Sequence, residues 1–271
     1  MVRIVAPFVG LFFALSALWA FVVGAESYIT EPPAATAESV FHLKPQEVSF
    51  ASDGPFGGFD RQQLQRGFQV YSQVCSNCHA LKYVAFRDLK DLGYNDDEVK
   101  AIAAKHDVPV YNPATGEVKT RKGMPADHFP PVVYAGQGNP PDLSLITKAR
   151  HEGPAYVYSL LTGFGDQPAE VLQRFPEAKV PDGLYWNPYF ANLNIAMPPP
   201  LVSDGQVEYG SGNPKPTVKQ MATDVAAFLV WTAEPKLEKR HQTGGAVVLF
   251  LMFATVLAFM AYRNVWSGVK H

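Results

Sequence analysis

The chain has only two cysteines in 271 residues, and they stand three apart with a histidine directly after the second: Cys75-Ser76-Asn77-Cys78-His79. That spacing is the attachment pattern of a c-type haem. The two thiols can form thioethers with the vinyl groups on one porphyrin edge, and His79 can then turn its imidazole onto the iron. Two other readings compete. A thiol–disulfide pair would leave His79 without a role and expects a βαβ setting that the sequence does not show; chance occurrence of the motif is the other. No further cysteine competes for these thiols.

A haem held by one histidine has a second axial position, where methionine raises the reduction potential. Of six methionines, Met1 would be lost with an N-terminal signal, Met252 and Met260 fall in the C-terminal apolar run, and Met221 in an amphipathic stripe. Met197 and Met124 remain. Met197 precedes three prolines, which push it to an extended backbone and stiffen the loop, and it is the preferred ligand. Met124 is the alternative, and an open or histidine-ligated iron is a third reading. The bases of Arg121-Lys122 beside Met124 suit haem propionates better than iron. The other six histidines read as surface or satisfied core residues.

Several helices must position these groups. Asp60 with Gln63 marks a helix start, after which Leu64, Phe68, Tyr71 and Cys75 fall on one face and would deliver Cys75 to the core. Thr217 with Gln220 begins a second helix of about sixteen residues that stops before Pro235. Asn95 with Glu98 starts a shorter one towards Lys105, and Pro154 opens another that ends near Gly163. No alternating strand pattern of similar quality is present, and 23 prolines imply long irregular connections. The expected fold is mainly α with much loop.

Both ends of the chain are apolar. Residues 4–23 follow Arg3 and lead into Val23-Gly24-Ala25, small residues that fit a cleavage site, so 1–25 reads as a signal peptide or a retained anchor. Residues 246–262 carry no charge, and with Gly244, Gly245 and Trp266 they reach membrane-spanning length, flanked by Lys236, Lys239 and Arg240 on one side and Arg263 and Lys270 on the other. The expected organisation is an exported haem domain over 26–243, joined by the short charged segment 236–243 to an anchor over 244–263, with a cytoplasmic tail over 264–271. The exported part has 25 acidic against 20 basic side chains, which favours a basic partner, and no basic run marks a nucleic-acid groove.

Taken together, these motifs resemble the cytochrome c1 family, the haem-bearing subunit of the cytochrome bc1 complex in its bacterial form. The resemblance covers essentially all of 50–266 and rests on six stretches. These are Arg66-Gly67-Phe68-Gln69-Val70-Tyr71 leading into the haem motif, Pro140-Pro141-Asp142-Leu143-Ser144, Tyr158-Ser159-Leu160-Leu161-Thr162-Gly163, Tyr185-Trp186-Asn187-Pro188-Tyr189-Phe190, Met197-Pro198-Pro199-Pro200-Leu201, and Ala233-Glu234-Pro235 before the anchor. It implies a cytochrome c-like domain enlarged by loop insertions, one covalent haem c on Cys75 and Cys78, axial ligands His79 and Met197, Arg121 near a propionate, and Pro141 and Leu143 lining the pocket. It also implies a redox subunit with no catalytic acid, base or nucleophile of its own. Cytochrome b and the Rieske iron-sulfur protein would be its partners and a cytochrome c its acceptor, in a respiratory chain at the bacterial cytoplasmic membrane. Haem is attached to c cytochromes outside that membrane, which places the haem domain on the periplasmic side. The competing functions are a free-standing membrane-anchored electron shuttle and a haem peroxidase-type enzyme. Some relatives have an extra cysteine pair in their insertions that this chain lacks, so the bracing of its methionine loop is open.

Overall fold

A computed structural model describes residues 2–136 and 138–269, with the side chains of Val2 and Arg3 excepted. Arg3's charge, Met1, Lys270 and His271, each used in the sequence reading, therefore lie outside the described part. The described chain is mainly helical: α1 (Val2–Thr30), α2 (Ala37–Phe41), α3 (Arg61–Gln73), α4 (Asp96–Ala104), α5 (Ile146–Ala149), α6 (Gly153–Thr162), α7 (Ala169–Arg174), α8 (Val218–Ala233) and α9 (Leu237–Trp266).

The expected caps form. Asp60 accepts from the N–H groups of Gln62 and Gln63, and Thr217 from that of Gln220. The glutamine side chains, however, do not reach back to close capping boxes. Gln63 and Gln220 both donate to Asp224 instead, a carboxylate with no solvent exposure that also accepts from Arg66 Nε at 2.9 Å. Asn95 and Glu98 do close a complete box.

Helices α3 and α8 form the centre of the core. They cross at Gly67, where a Cβ would overlap the Asp224 carbonyl oxygen and come within 2.6 Å of Phe228 Cβ. Around the crossing pack Phe68, Tyr71, Phe86, Phe129, Phe228 and Trp231, with ring centroids as close as 4.4 Å for Phe86–Phe129. Helix α5 is pinned to α8 by Thr147, whose hydroxyl donates to the Leu229 carbonyl at 3.1 Å.

Three elements differ from expectation. Helix α3 stops at Gln73, so Cys75 leaves the helix and begins a separate 3₁₀ turn, Cys75–Asn77, though it still packs against the core. Two short antiparallel hairpins are present: β1 (Asp107–Tyr111) with β2 (Val118–Lys122), and β3 (Tyr185–Trp186) with β4 (Asn194–Ile195). The charged segment 236–243, expected only as the short join between domain and anchor, is helical and packed. It is the first part of α9, with Leu237 buried and Glu238 accepting from Phe59 N at 2.7 Å and Arg61 Nη2 at 2.9 Å.

Helices α1 and α9 are each long and apolar enough to cross a membrane, and neither span is buried against the rest of the chain. Helix α1 continues without a break through Val23-Gly24-Ala25 to Thr30.

Candidate functional site

Helix α3 is capped at Val74, and the motif is laid out in the turn that follows. Ser76 Oγ donates to the Ser72 carbonyl at 2.7 Å, and the N–H groups of Cys78 and His79 both donate to the Cys75 carbonyl, at 3.1 and 2.9 Å. Below the turn, the buried Tyr71 donates its hydroxyl to the His79 carbonyl at 2.9 Å. Burial holds that phenol far above its ordinary range, so it stays a donor.

The two cysteines are not bonded to each other, and both are half-buried. Burial, with Cys78 adding to it, pushes the Cys75 thiol up to about 12. A redox pair needs the opposite, a thiol pKa lowered towards neutrality. The raised Cys75 thiol and the lack of a βαβ setting among the described residues both speak against the thiol–disulfide reading.

His79 supplies the most informative contact. Its Nδ1 lies 2.7 Å from the Pro141 carbonyl oxygen, and since a carbonyl can only accept, Nδ1 carries the proton. The lone pair is left on Nε2. Desolvation lowers the imidazole pKa, so the ring is neutral at neutral pH with Nε2 free for a metal.

Pro141 is held in place by the rest of its segment. Leu143 N donates to the Ala80 carbonyl at 3.0 Å, Asp142 accepts from Lys82 N at 2.8 Å and Ser144 N at 3.0 Å, and Ser144 Oγ accepts from Tyr83 N at 3.1 Å. The Pro-Pro-Asp-Leu-Ser stretch is thus stitched to three of the four residues after the motif, Ala80, Lys82 and Tyr83. Leu143 is buried in the main core, whereas the Pro141 ring is exposed.

The two candidate methionines sit in contrasting places. Met124 is 51% exposed on a turn closed by Asp127, which accepts from its N–H at 2.7 Å. Met197 is half-buried two residues past β4. Its neighbour Ala196 lies against Gly138, where a Cβ would meet that of Ala196 at 3.6 Å, so the methionine loop adjoins the segment carrying Pro141. Met221 is fully buried in α8.

Arg121, expected near a propionate, closes its fork on Asp127 with distances of 2.6 and 2.8 Å and holds that carboxyl down at about 2. The Asp127 segment in turn pairs with residues just beyond the motif: Phe86 N donates to the Asp127 carbonyl at 2.9 Å and Phe129 N to the Val84 carbonyl at 3.1 Å. Cys75, Cys78, His79, Pro141 and Leu143 thus share one neighbourhood, with Arg121 one element away. Tyr71, Asp142 and Ser144 were named in the sequence only as part of a helix stripe or a family stretch, with no role at the site. Only Asp142, two residues before a serine and directly after a proline pair, had a turn signature that could have marked it.

The Cytochrome C1 family model matches residues 50–269. The chain belongs to the cytochrome c1 family. It is 42% identical over 235 residues to a cytochrome c1 of Rhodospirillum rubrum, covering 80% of this chain and 86% of that one. It is 40% identical over 263 residues to a cytochrome c1 of Cereibacter sphaeroides, covering 83% and 88%. A protein of Bradyrhizobium diazoefficiens named cytochrome b/c1 is 40% identical over 247 residues, which is 83% of this chain but 36% of that longer one. As a cytochrome c1, the chain is an electron-transfer subunit of a bc1 complex, it uses a haem cofactor, and it is membrane-anchored. Membership also sets aside the peroxidase reading.

The residues present fit that cofactor. Two unpaired thiols on one turn and a neutral imidazole with Nε2 free are the donor set a c-type haem requires.

Proposed function

We propose that this cytochrome c1 holds one haem c covalently through Cys75 and Cys78, with His79 and Met197 as axial ligands. The hydrogen bond from His79 Nδ1 to the Pro141 carbonyl supports the reading most directly, since it fixes both the tautomer and the ring orientation that a ligand needs. Met197 is preferred to Met124 because it is enclosed and its loop adjoins the Pro141 segment. When bound, the haem supplies a one-electron iron couple.

The protein's own contribution is positional. Cys75 and Cys78 would tether the haem, His79 and Met197 would ligate its iron, and Leu143 would keep water from one side of the pocket. Arg121 offers positive charge to a propionate while its fork rests on Asp127. The chain takes electrons from the Rieske iron-sulfur protein and passes them to a cytochrome c, beside cytochrome b in the same complex. The relative named cytochrome b/c1 supports the pairing with cytochrome b. Residues 1–25 serve as the export signal or a retained anchor, 26–243 form the periplasmic haem domain, residues 244–263 within α9 cross the bacterial cytoplasmic membrane, and 264–271 lie on its inner side.

The test is a set of replacements read on the purified, detergent-solubilised protein. Cys75→Ala with Cys78→Ala should remove the haem that survives denaturing electrophoresis. Met197→Leu should lower the reduction potential sharply, and Met124→Leu should not. Haem retention in the double cysteine variant, or an unchanged potential in Met197→Leu, contradicts the assignment.

A further inference from the structure

The loop carrying Met197 is fixed at its two ends by different means. Downstream, Leu201 is buried in the main core, while Gln206 accepts from Val202 N and donates to the Pro200 carbonyl, both at 2.8 Å. Upstream, the loop hangs from the β3–β4 hairpin, which has just two residue pairs. A hairpin that small has no stability of its own. It also contains Leu193 at φ 60°, a left-handed conformation that a branched aliphatic residue holds only under constraint.

The constraint is burial. Leu193, 2% exposed, packs with Trp186, Val171 and Ala37 in a hydrophobic cluster separate from the main core. One wall of that cluster comes from the N-terminal side of the domain. Helix α2, closed by a reciprocal Thr36–Ser39 cap, contributes Ala37 and Phe41, and the Phe41 ring meets Phe175 edge-on at 6.3 Å beneath the Arg174 guanidinium.

The chain between α2 and the main core is tied down twice. Leu43 N donates to the Pro188 carbonyl at 2.8 Å, and Gln46 N donates to the buried Ser159 hydroxyl at 2.8 Å. Pro188 follows Asn187, whose N–H donates to the Leu193 carbonyl and whose side chain donates to the Leu160 carbonyl, each at 2.8 Å. Residues 36–46 therefore run across the hairpin and close its apolar side. A five-residue helix does not persist alone, so hairpin and strap depend on each other.

We infer that residues 36–46 are a strap that holds the β3–β4 hairpin and, through it, keeps Met197 on the iron. The strap is a positioning element, and it does what a covalent cross-link could do in a chain whose two cysteines are both taken by the haem motif. The inference rests on Met197 being the axial ligand.

The test uses the haem-loaded full chain in detergent, with Phe41→Ala, its conservative partner Phe41→Leu, and Leu43→Pro, which removes one N–H donor and leaves the cluster intact. The readouts are carbon monoxide binding to the ferrous haem, the charge-transfer band of methionine-ligated ferric haem, and the melting temperature. Phe41→Ala and Leu43→Pro should each speed carbon monoxide binding about tenfold by raising the methionine-off population, with Phe41→Leu near wild type. A strap with only a structural role would lower the melting temperature and leave binding and band unchanged, and that result overturns the inference. Met197→Leu separates the two failures. If it opens the iron while the strap variants do not, only the strap is wrong; if it binds carbon monoxide no faster than wild type, the axial assignment fails and the inference falls with it.

Discussion

Replacing Gly67 by alanine tests the packing that positions the haem turn. The new Cβ would overlap the Asp224 carbonyl oxygen and sit 2.6 Å from Phe228 Cβ, and both atoms belong to the rigid body of α8 rather than to a flexible side-chain tip. The helices must therefore separate. Overpacking of this kind costs about 1–3 kcal/mol, and backbone neighbours put Gly67→Ala at the upper end. Better helix propensity offsets up to about 1 kcal/mol, leaving a net loss of about 2 kcal/mol. For a domain of this size that lowers the melting temperature by about 4–8 °C. Gly165→Ala is the matched control, because nothing lies within 4 Å of its Cβ. Thermal unfolding of both variants, followed by near-UV and Soret circular dichroism, decides the matter. If Gly67→Ala melts with the wild type, the α3–α8 crossing is not the tight contact described.

Three further outcomes follow from the same geometry. Asp224→Ala leaves Arg66 without its buried partner and should cost about 3–5 kcal/mol, measured by denaturant unfolding. Asp127, held at about 2 by Arg121 against an ordinary value of about 4, contributes stability that is present above pH 4 and lost as pH falls through 2; hydrogen exchange of β1–β2 should rise over that interval in wild type and show no such step in Asp127→Asn. A chain ending at 243 should melt as the full-length domain does, whereas one ending at 234 should melt lower, because it loses buried Leu237 and the Glu238 contacts to Phe59 and Arg61.

What could be read from the sequence was local. Asp60, Asn95 and Thr217 mark helix starts because a short polar side chain before an apolar stripe has few other uses, and all three cap as expected. The haem motif and the preference for Met197 came from residue type and spacing alone. The β1–β2 hairpin escaped because its strands are mostly exposed and carry no apolar alternation; Asn112-Pro113-Ala114-Thr115-Gly116 between them was its one signal. Cys75 sits in phase with the α3 stripe, yet periodicity cannot say where a helix gives way to a tighter turn. The charged run 236–243 read only as the join between domain and anchor because the partners of its Glu238, Phe59 and Arg61, are far away in sequence. The His79–Pro141 bond spans 62 positions and the strap's tie to Ser159 spans 113, and no local pattern encodes such pairings.

The proposed role of this chain is to relay electrons from quinol through a covalent haem c inside a bc1 complex. Purification in mild detergent followed by quinol addition under anaerobic conditions, with reduced-minus-oxidised spectra recorded over time, tests it most directly. A b-type haem and a Rieske signal should copurify, and quinol should reduce the c-type haem. A c-type haem protein that isolates alone and stays oxidised in the presence of quinol would contradict it.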